Sequence, residues 1–389
     1  MHPFDLELLL KPGLLIFTAT LWVAFLVTRS VVFSLSAALI KASLFLIYFG
    51  VLFDGTFTFF DDWSYLNGGI EIVDKGIGLS NLAENWDFVL MTATGEHFVY
   101  YLYNAYAFRF FGVGYYAPVA LNIVLTILIA WFGAIVGTRE FGFTGQWKKL
   151  FFMFLLFHPD ILAWSNVMNG KDILLLLLHV LLLLSASMFF RGRRFAALAI
   201  ATPVVILLFF LRFYVPVIFA TVLVVHQLLA VRSRHHLYWL LGGTAILFVA
   251  IYSMLGDLIQ FAWLSFQENL VNPVVGFVHM ALTPIPFNTD VKYSFLDIPA
   301  LLHWMLMPMV VYGVVLLMRR EKSPFTRFFW LYLVAFMGMY SIYGELQGPR
   351  QRVQLDFALA VLQFIGIKQY LIWQFSSRHE LQPASTCNA

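Results

Sequence analysis

Residues 172–190 read "DILLLLLHVLLLLSASMFF", one acid followed by a run with no formal charge at neutral pH. A stretch this long and this uniformly apolar has no polar face to offer water, so it reads as a bilayer crossing and not as an amphipathic surface helix. Runs of the same kind recur at about 12–28, 31–53, 116–138, 150–164, 196–211, 213–231, 237–255, 303–318, 328–344 and 355–373, which with 172–190 makes roughly eleven spans. Nothing between them is polar enough for a separate soluble domain. Residues 1–389 are therefore expected to form one all-α, polytopic, integral membrane domain. The composition agrees: 61% of residues are hydrophobic and only 12% charged, far outside the soluble range. Two spans, 196–211 and 213–231, are joined only by "LRFY" (Leu211 to Tyr214), which predicts a tight hairpin.

The charges divide the connections into two sets. Arg139 with Lys148 and Lys149, Arg191 with Arg193 and Arg194, Arg232 with Arg234, the stretch from Arg319 to Arg327, and Arg378 fall on alternate connections, which the positive-inside rule assigns to the cytoplasm. Of the 21 acids only Glu140, Glu321 and Glu380 share that side. The opposite connections include two long loops, 54–115 and 256–302. This scheme puts the N-terminus outside and the C-terminal tail, 374–389, inside. Asp5 and Glu7 precede the first basic residue, Lys11, so the first apolar run is expected to stay as an anchor and not to be a cleaved signal. The one cysteine, Cys387, lies in the polar tail and excludes an internal disulfide.

Long loops in a compact membrane protein are where chemistry is expected. The first carries "FFDDWSYLNGG", residues 59–69, with adjacent carboxylates Asp61 and Asp62 just beyond a span end. One of the two can face a cavity while the other caps a helix, and Asp62 is favoured for the cavity by its nearness to Tyr65 and a Gly68–Gly69 turn. The plainer reading is a helix cap plus a solvated acid. Tyrosines at 100, 103 and 106 in "HFVYYLYNAYAFRFFG", residues 97–112, suit a helix lying at the membrane surface.

"HPDILAWSNVMNGKD", residues 158–172, packs a His, two Asp, a Lys and two Asn into the break between two apolar runs. Such density at a membrane boundary singles out Asp160, Lys171 as a point charge for a phosphate, and Asp172 as a cap of the following helix. An interfacial turn is the alternative. Arg212, beside Tyr214, has no acid near it in sequence and needs one from another helix or an anionic ligand, unless it snorkels to the headgroups. Arg350 and Arg352 run against the positive-inside trend and suggest phosphate or carboxylate recognition, or an ion pair with Glu345 or Asp356. The prolines of 256–302 argue against a long helix there and allow a lid. Isolated histidines such as His179, His226 and His303 lack ligand spacing, so no transition-metal site is expected.

Together "DDWSYLNGG" (61–69), "HFVYY" leading to "RFFG" (97–101 and 109–112), "APVALN" (117–122) and "PDILAWS" (159–165) resemble segments of the GT-C glycosyltransferase superfamily. The last also resembles EpsG-like polysaccharide polymerases. The resemblance covers roughly residues 50–215. It implies a GT-C-like fold in the cytoplasmic membrane of a bacterium and inverting transfer from a polyprenyl-phosphate-linked sugar to a glycan, lipid or protein acceptor at the outer face. Asp61 or Asp62 would deprotonate or orient the acceptor hydroxyl. Lys171, Arg212 and Arg350 or Arg352 would neutralise the departing lipid phosphate. Tyr65, Glu96, His97, Asp160, Asp172 and Tyr214 complete the expected substrate contacts. No cofactor is required on this reading, although Mg2+ or Mn2+ at Asp61 and Asp62 is compatible with it, and no nucleic-acid partner is expected. The rivals are a polymerase or ligase of the EpsG or Wzy kind, in which the arginines dominate, and a transporter or lipid flippase, which needs charges deep in several spans. Lys41 is the clearest such charge.

Overall fold

The structure is a computed structural model that describes residues 3–94, 97–230, 267–319, 323–346 and 348–380. The expected span at 237–255 and the candidate Glu96 lie outside the described residues. All regular structure among those described is helical, apart from one isolated bridge between Leu270 and Tyr343. Among the described residues seven helices are long and apolar enough to cross a membrane, or eight if one bent pair is taken as a single span. The chain is a polytopic membrane protein.

The first two helices, α1 (Leu6–Thr28) and α2 (Val31–Ile47), form a hairpin turned at Arg29 in the left-handed region, φ 56°. Ser30 caps α2 by accepting from the Phe33 N–H, which satisfies one of the amides a helix start leaves open. Large apolar side chains on this hairpin, among them Leu14, Trp22 and Val32, are exposed; a surface of that kind is suited to lipid, not water. Lys41, by contrast, is turned inward and donates to Thr126 Oγ1 at 2.7 Å.

The first long loop is not an open loop. It folds into α3 (Phe60–Asp74), α4 (Trp86–Thr92) and α5 (Phe98–Phe111). Gly68 and Gly69 sit within α3 and make no turn. A Cβ at Gly68 would lie 2.4 Å from the Tyr101 ring, and one at Gly69 2.8 Å from Asn104 Cβ, so the two glycines let α3 and α5 approach closely. Helix α5 is held from inside: the Tyr100 hydroxyl donates to Asn169 Oδ1 at 3.1 Å and the Tyr103 hydroxyl to Asn122 Oδ1 at 3.0 Å. Tyr100 is buried and Tyr103 half-buried in this packing, while the half-buried Tyr106 accepts from the Leu79 N–H at 2.7 Å.

Helix α6 (Tyr116–Glu140) leads to a broken span, α7 (Gln146–Leu156) and α8 (Pro159–Val167), bent by 40°. The cause is Pro159, which lacks an N–H to continue the helix and pushes His158 to extended ψ, 127°. The sequence run 150–164 is therefore two helices. Next comes α9 (Asp172–Phe190), whose 19 residues at about 1.5 Å each reach about 28 Å, the depth of the hydrocarbon layer. Most of its side chains are buried, so it is a central element of the bundle. Helices α10 (Arg194–Leu211) and α11 (Tyr214–Ala230) form the expected tight hairpin around Arg212.

The second long loop contributes α12 (Pro273–Leu282) and a 3-10 turn over Val291–Leu296 before α13 (Asp297–Arg319). That turn lies across the first loop, with Tyr293 against Phe59 at 4.7 Å between centroids and Phe295 against Phe57 at 5.6 Å. Helix α14 (Pro324–Ile342), the short α15 (Pro349–Val353) and the long α16 (Asp356–Glu380) complete the chain. The two sets of connections separated by charge are also separated in space along α9. Its first residue, Asp172, meets Arg350 and Arg212, whereas Arg191, just past its end, pairs with Glu140 at 2.8 Å.

Candidate functional site

Four connections that are far apart in sequence converge at the start of α9. Arg350, on α15, donates from Nε to Asp172 Oδ2 at 2.8 Å and from Nη1 to Asp61 Oδ2 at 2.6 Å. Arg212, at the end of α10, places Nη2 3.6 Å from Asp172 Oδ1 and donates from Nη1 to the Tyr214 hydroxyl at 2.9 Å. Lys171 directs its ammonium toward the Tyr65 ring, 5.7 Å from the centroid, and has no ion-pair or hydrogen-bond partner for that ammonium among the described residues. Two guanidinium groups and the Lys171 amine therefore face two carboxylates. Seven of the residues singled out from sequence, Asp61, Tyr65, Lys171, Asp172, Arg212, Tyr214 and Arg350, meet here.

The electrostatics follow from this packing. Burial disfavours the charged Lys171 ammonium, and the guanidinium groups of Arg212 and Arg350 repel it, so it titrates at about 6. Burial and the same three basic groups depress His97, at the start of α5, to about 3 and keep it neutral. Partial burial would raise Asp61, but the charge and hydrogen bond of Arg350, with Lys171 behind it, outweigh that and hold the carboxyl below its usual range.

Asp62 is placed differently from its neighbour. It is 1% exposed, its Oδ1 accepts from the Phe59 N–H at 2.8 Å and its Oδ2 from the Tyr115 hydroxyl at 2.6 Å. Burial raises it to about 6 against those hydrogen bonds. Asp61 is thus the exposed member of the pair, held by Arg350; Asp62 is the cap and anchor of α3. With both Asp62 oxygens taken by donors and Asp61 held by Arg350, the pair fits a divalent cation poorly, and no step below depends on one.

Asp160 and Arg352 also leave the first cluster. Arg352 Nη2 lies 3.3 Å from Asp160 Oδ2, and Arg352 Nη1 donates to the Thr283 carbonyl. His303 Nδ1 is 3.6 Å from Asp160 Oδ2, and its Nε2 bonds to the Ala281 carbonyl at 2.9 Å. This second cluster is sealed from solvent, with Asp160, Arg352, His303 and Asp356 all buried.

Several residues that hold the site were not singled out from sequence. Asn122 Nδ2 donates to the Gly170 carbonyl at 3.1 Å, Asn169 Nδ2 to Asn104 Oδ1 at 2.8 Å, and the Asn169 N–H to the Tyr115 hydroxyl at 3.1 Å. This chain of amides fixes the irregular backbone before Lys171. The signal that finds Asn104 and Asn122 is a lone amide in an otherwise apolar or aromatic helix, which is costly without a partner.

Comparison of the chain with models of protein families, with curated proteins and with solved structures finds no match.

Proposed function

We propose that this protein is an inverting, GT-C-like membrane glycosyltransferase that takes a sugar from a polyprenyl-phosphate-linked donor and passes it to a glycan, lipid or protein acceptor at the outer face of a bacterial inner membrane. On this reading the chain has about eleven spans, with its N-terminus outside and its C-terminus in the cytoplasm. The observation that carries the proposal is the gathering of Arg350, Arg212 and Lys171 around Asp172, Asp61 and Tyr65 at the end of a central span, with Arg350 bridging the two carboxylates. Such a site suits a lipid-linked anion: the charges meet the phosphate at the interface while the chain lies among the helices.

The donor phosphate competes with Asp61 for Arg350. Once it takes the guanidinium, Asp61 loses the partner that holds its proton affinity down, and burial then raises that affinity. Asp61 accepts the proton of the acceptor hydroxyl as its oxygen attacks the anomeric carbon from the face opposite the phosphate. The anomeric carbon–phosphate oxygen bond breaks, and the lipid phosphate leaves with the electron pair. Arg350 and Arg212 stabilise it, together with Lys171, which takes a proton from water once the arriving negative charge favours its ammonium form.

Asp61→Asn tests this with purified protein and a polyprenyl-phosphate sugar. Transfer should fall by about 10²–10⁴-fold with the unfolding temperature unchanged. Full activity in D61N would remove the general base. A second reading, a polymerase acting on pyrophosphate-linked oligosaccharides, is favoured by Lys171, a third basic group with no acid partner among the described residues, whose ammonium form a further phosphate would favour. It is distinguished by a loss in Arg212→Gln or Arg350→Gln much larger than that in D61N.

A further inference from the structure

The second cluster contains polar atoms that the packing does not satisfy. Asp356, the first residue of α16, is 0% exposed, and neither carboxylate oxygen has a hydrogen-bond partner. His158, at the break between α7 and α8, is 2% exposed; its Nε2 lies 3.0 Å from Gln363 Oε1 while its Nδ1 has no partner. Donation from Nε2–H to the Gln363 oxygen leaves the Nδ1 lone pair free, the arrangement in which a second residue orients a metal-binding imidazole. Asp160 completes the group: one donor atom from each of His158, Asp160 and Asp356 lies within 4.8 Å of the other two.

We propose that His158, Asp160 and Asp356 form a buried site for a divalent first-row transition-metal ion. One imidazole and two carboxylates suit Mn2+ or Zn2+. Metal–ligand bonds of about 2.0–2.2 Å require the three donors to draw in by less than about 1 Å. The charge balance points the same way, because two carboxylates face a single guanidinium, Arg352, which is 3.3 Å from Asp160 and leaves Asp356 unpaired. A proton on Asp356 would remove that charge but would still leave the His158 Nδ1 without a partner. A cation satisfies the orphaned atoms on both residues and joins the break at Pro159 to the start of the last helix. Its position beside Arg352, two residues from Arg350, lets it brace α15 without entering the transfer step.

The full chain, purified in detergent, stripped with EDTA and dialysed against Mn2+ or Zn2+, should take up about one ion per chain, and its unfolding temperature should rise with that ion. Asp356→Asn should abolish both effects, Gln363→Leu should weaken affinity about tenfold or more, and Asp61→Asn should change neither. If D356N does not fold, the nuclear coupling of Mn2+ bound to the wild-type protein decides: a directly ligated nitrogen supports the site, and its absence overturns it. Failure of the wild-type protein to take up either ion stoichiometrically, or equal uptake by D356N, also overturns it. Because D61N leaves metal uptake intact, failure of the metal site and failure of the glycosyltransferase reading show up separately.

Discussion

Arg350 and Arg352 are two residues apart on the five-residue helix α15, yet they serve opposite environments. The Arg350 side chain is 23% exposed and its partner Asp61 46%, whereas Arg352 and Asp160 are each 2% exposed. The first pair can be exchanged for a ligand, because water or an incoming anion can take the place of either partner. The second cannot be opened without stranding a charge inside the protein. A short helix anchored to the interior on one face holds the partly exposed, exchangeable arginine of its neighbouring face rigidly where it is needed.

The comparison is broken most directly at the sealed pair. Arg352→Ala leaves Asp160 buried without its cation and should cost about 3–5 kcal/mol of stability. Unfolding in detergent, followed by circular dichroism, measures this; a loss below about 1 kcal/mol would mean that the pair is not sealed. Arg350→Gln should do the reverse. Transfer should fall by about 10²–10³-fold, while the stability loss stays well below that of R352A, because Asp61 can be hydrated and Asp172 keeps Arg212. Equal destabilisation by the two substitutions would make α15 a purely structural element.

The two aspartates of α3 repeat the contrast on a smaller scale. Asp62 titrates at about 6 in the folded protein against an ordinary value of 3.8, so the folded state binds the proton more tightly. Stability from this group is full below about pH 4 and is lost as pH rises through 6, a change of about 3 kcal/mol. The difference in unfolding free energy between wild type and Asp62→Asn should therefore vary between pH 4 and 7. A constant difference would show that Asp62 is ionised throughout. Asp61, held low by Arg350, should show no such dependence.

Much of the architecture could be read from the apolar runs, because a membrane span is a composition signal that needs no partner to be recognised. Where the run at 150–164 failed as a single span, Pro159 was the reason, and its effect on backbone geometry is local. The site was readable in part: Lys171 stood out in a dense polar break, Arg350 against the charge trend of its side, and Arg212 as a charge whose cost implied a counter-ion. Which counter-ions they meet depends on packing. Adjacent residues such as Asp61 and Asp62 project about 100° apart on a helix, and the buried one is met by the Tyr115 hydroxyl, from another element, which the local sequence does not reveal. Asp160 and Asp172 bracket one motif in sequence but separate because the chain bends between them. Asp356 was legible only as an ion-pair candidate for the arginines, since what marks it in the fold is that neither buried carboxylate oxygen has a hydrogen-bond partner.

The smallest expected effect concerns Tyr214, which accepts from Arg212 Nη1 at 2.9 Å. Arg212 Nε is buried without a partner and Asp172 is 3.6 Å from Nη2, beyond hydrogen-bond length, so the tyrosine hydroxyl is the acceptor that fixes how the guanidinium is turned. Tyr214→Phe removes one hydrogen bond to a charged group and keeps the ring. It should cost about 1–2 kcal/mol of donor binding, roughly a tenfold rise in KM, with kcat nearly unchanged. A fall in kcat at constant KM would instead mean that Arg212 acts on the leaving phosphate only in the transition state, with Tyr214 holding it ready for that moment. Arg212 would then belong with Arg350 among the groups that stabilise departure, and the open cluster would divide into a binding cation, Lys171, and two that act on the reaction itself.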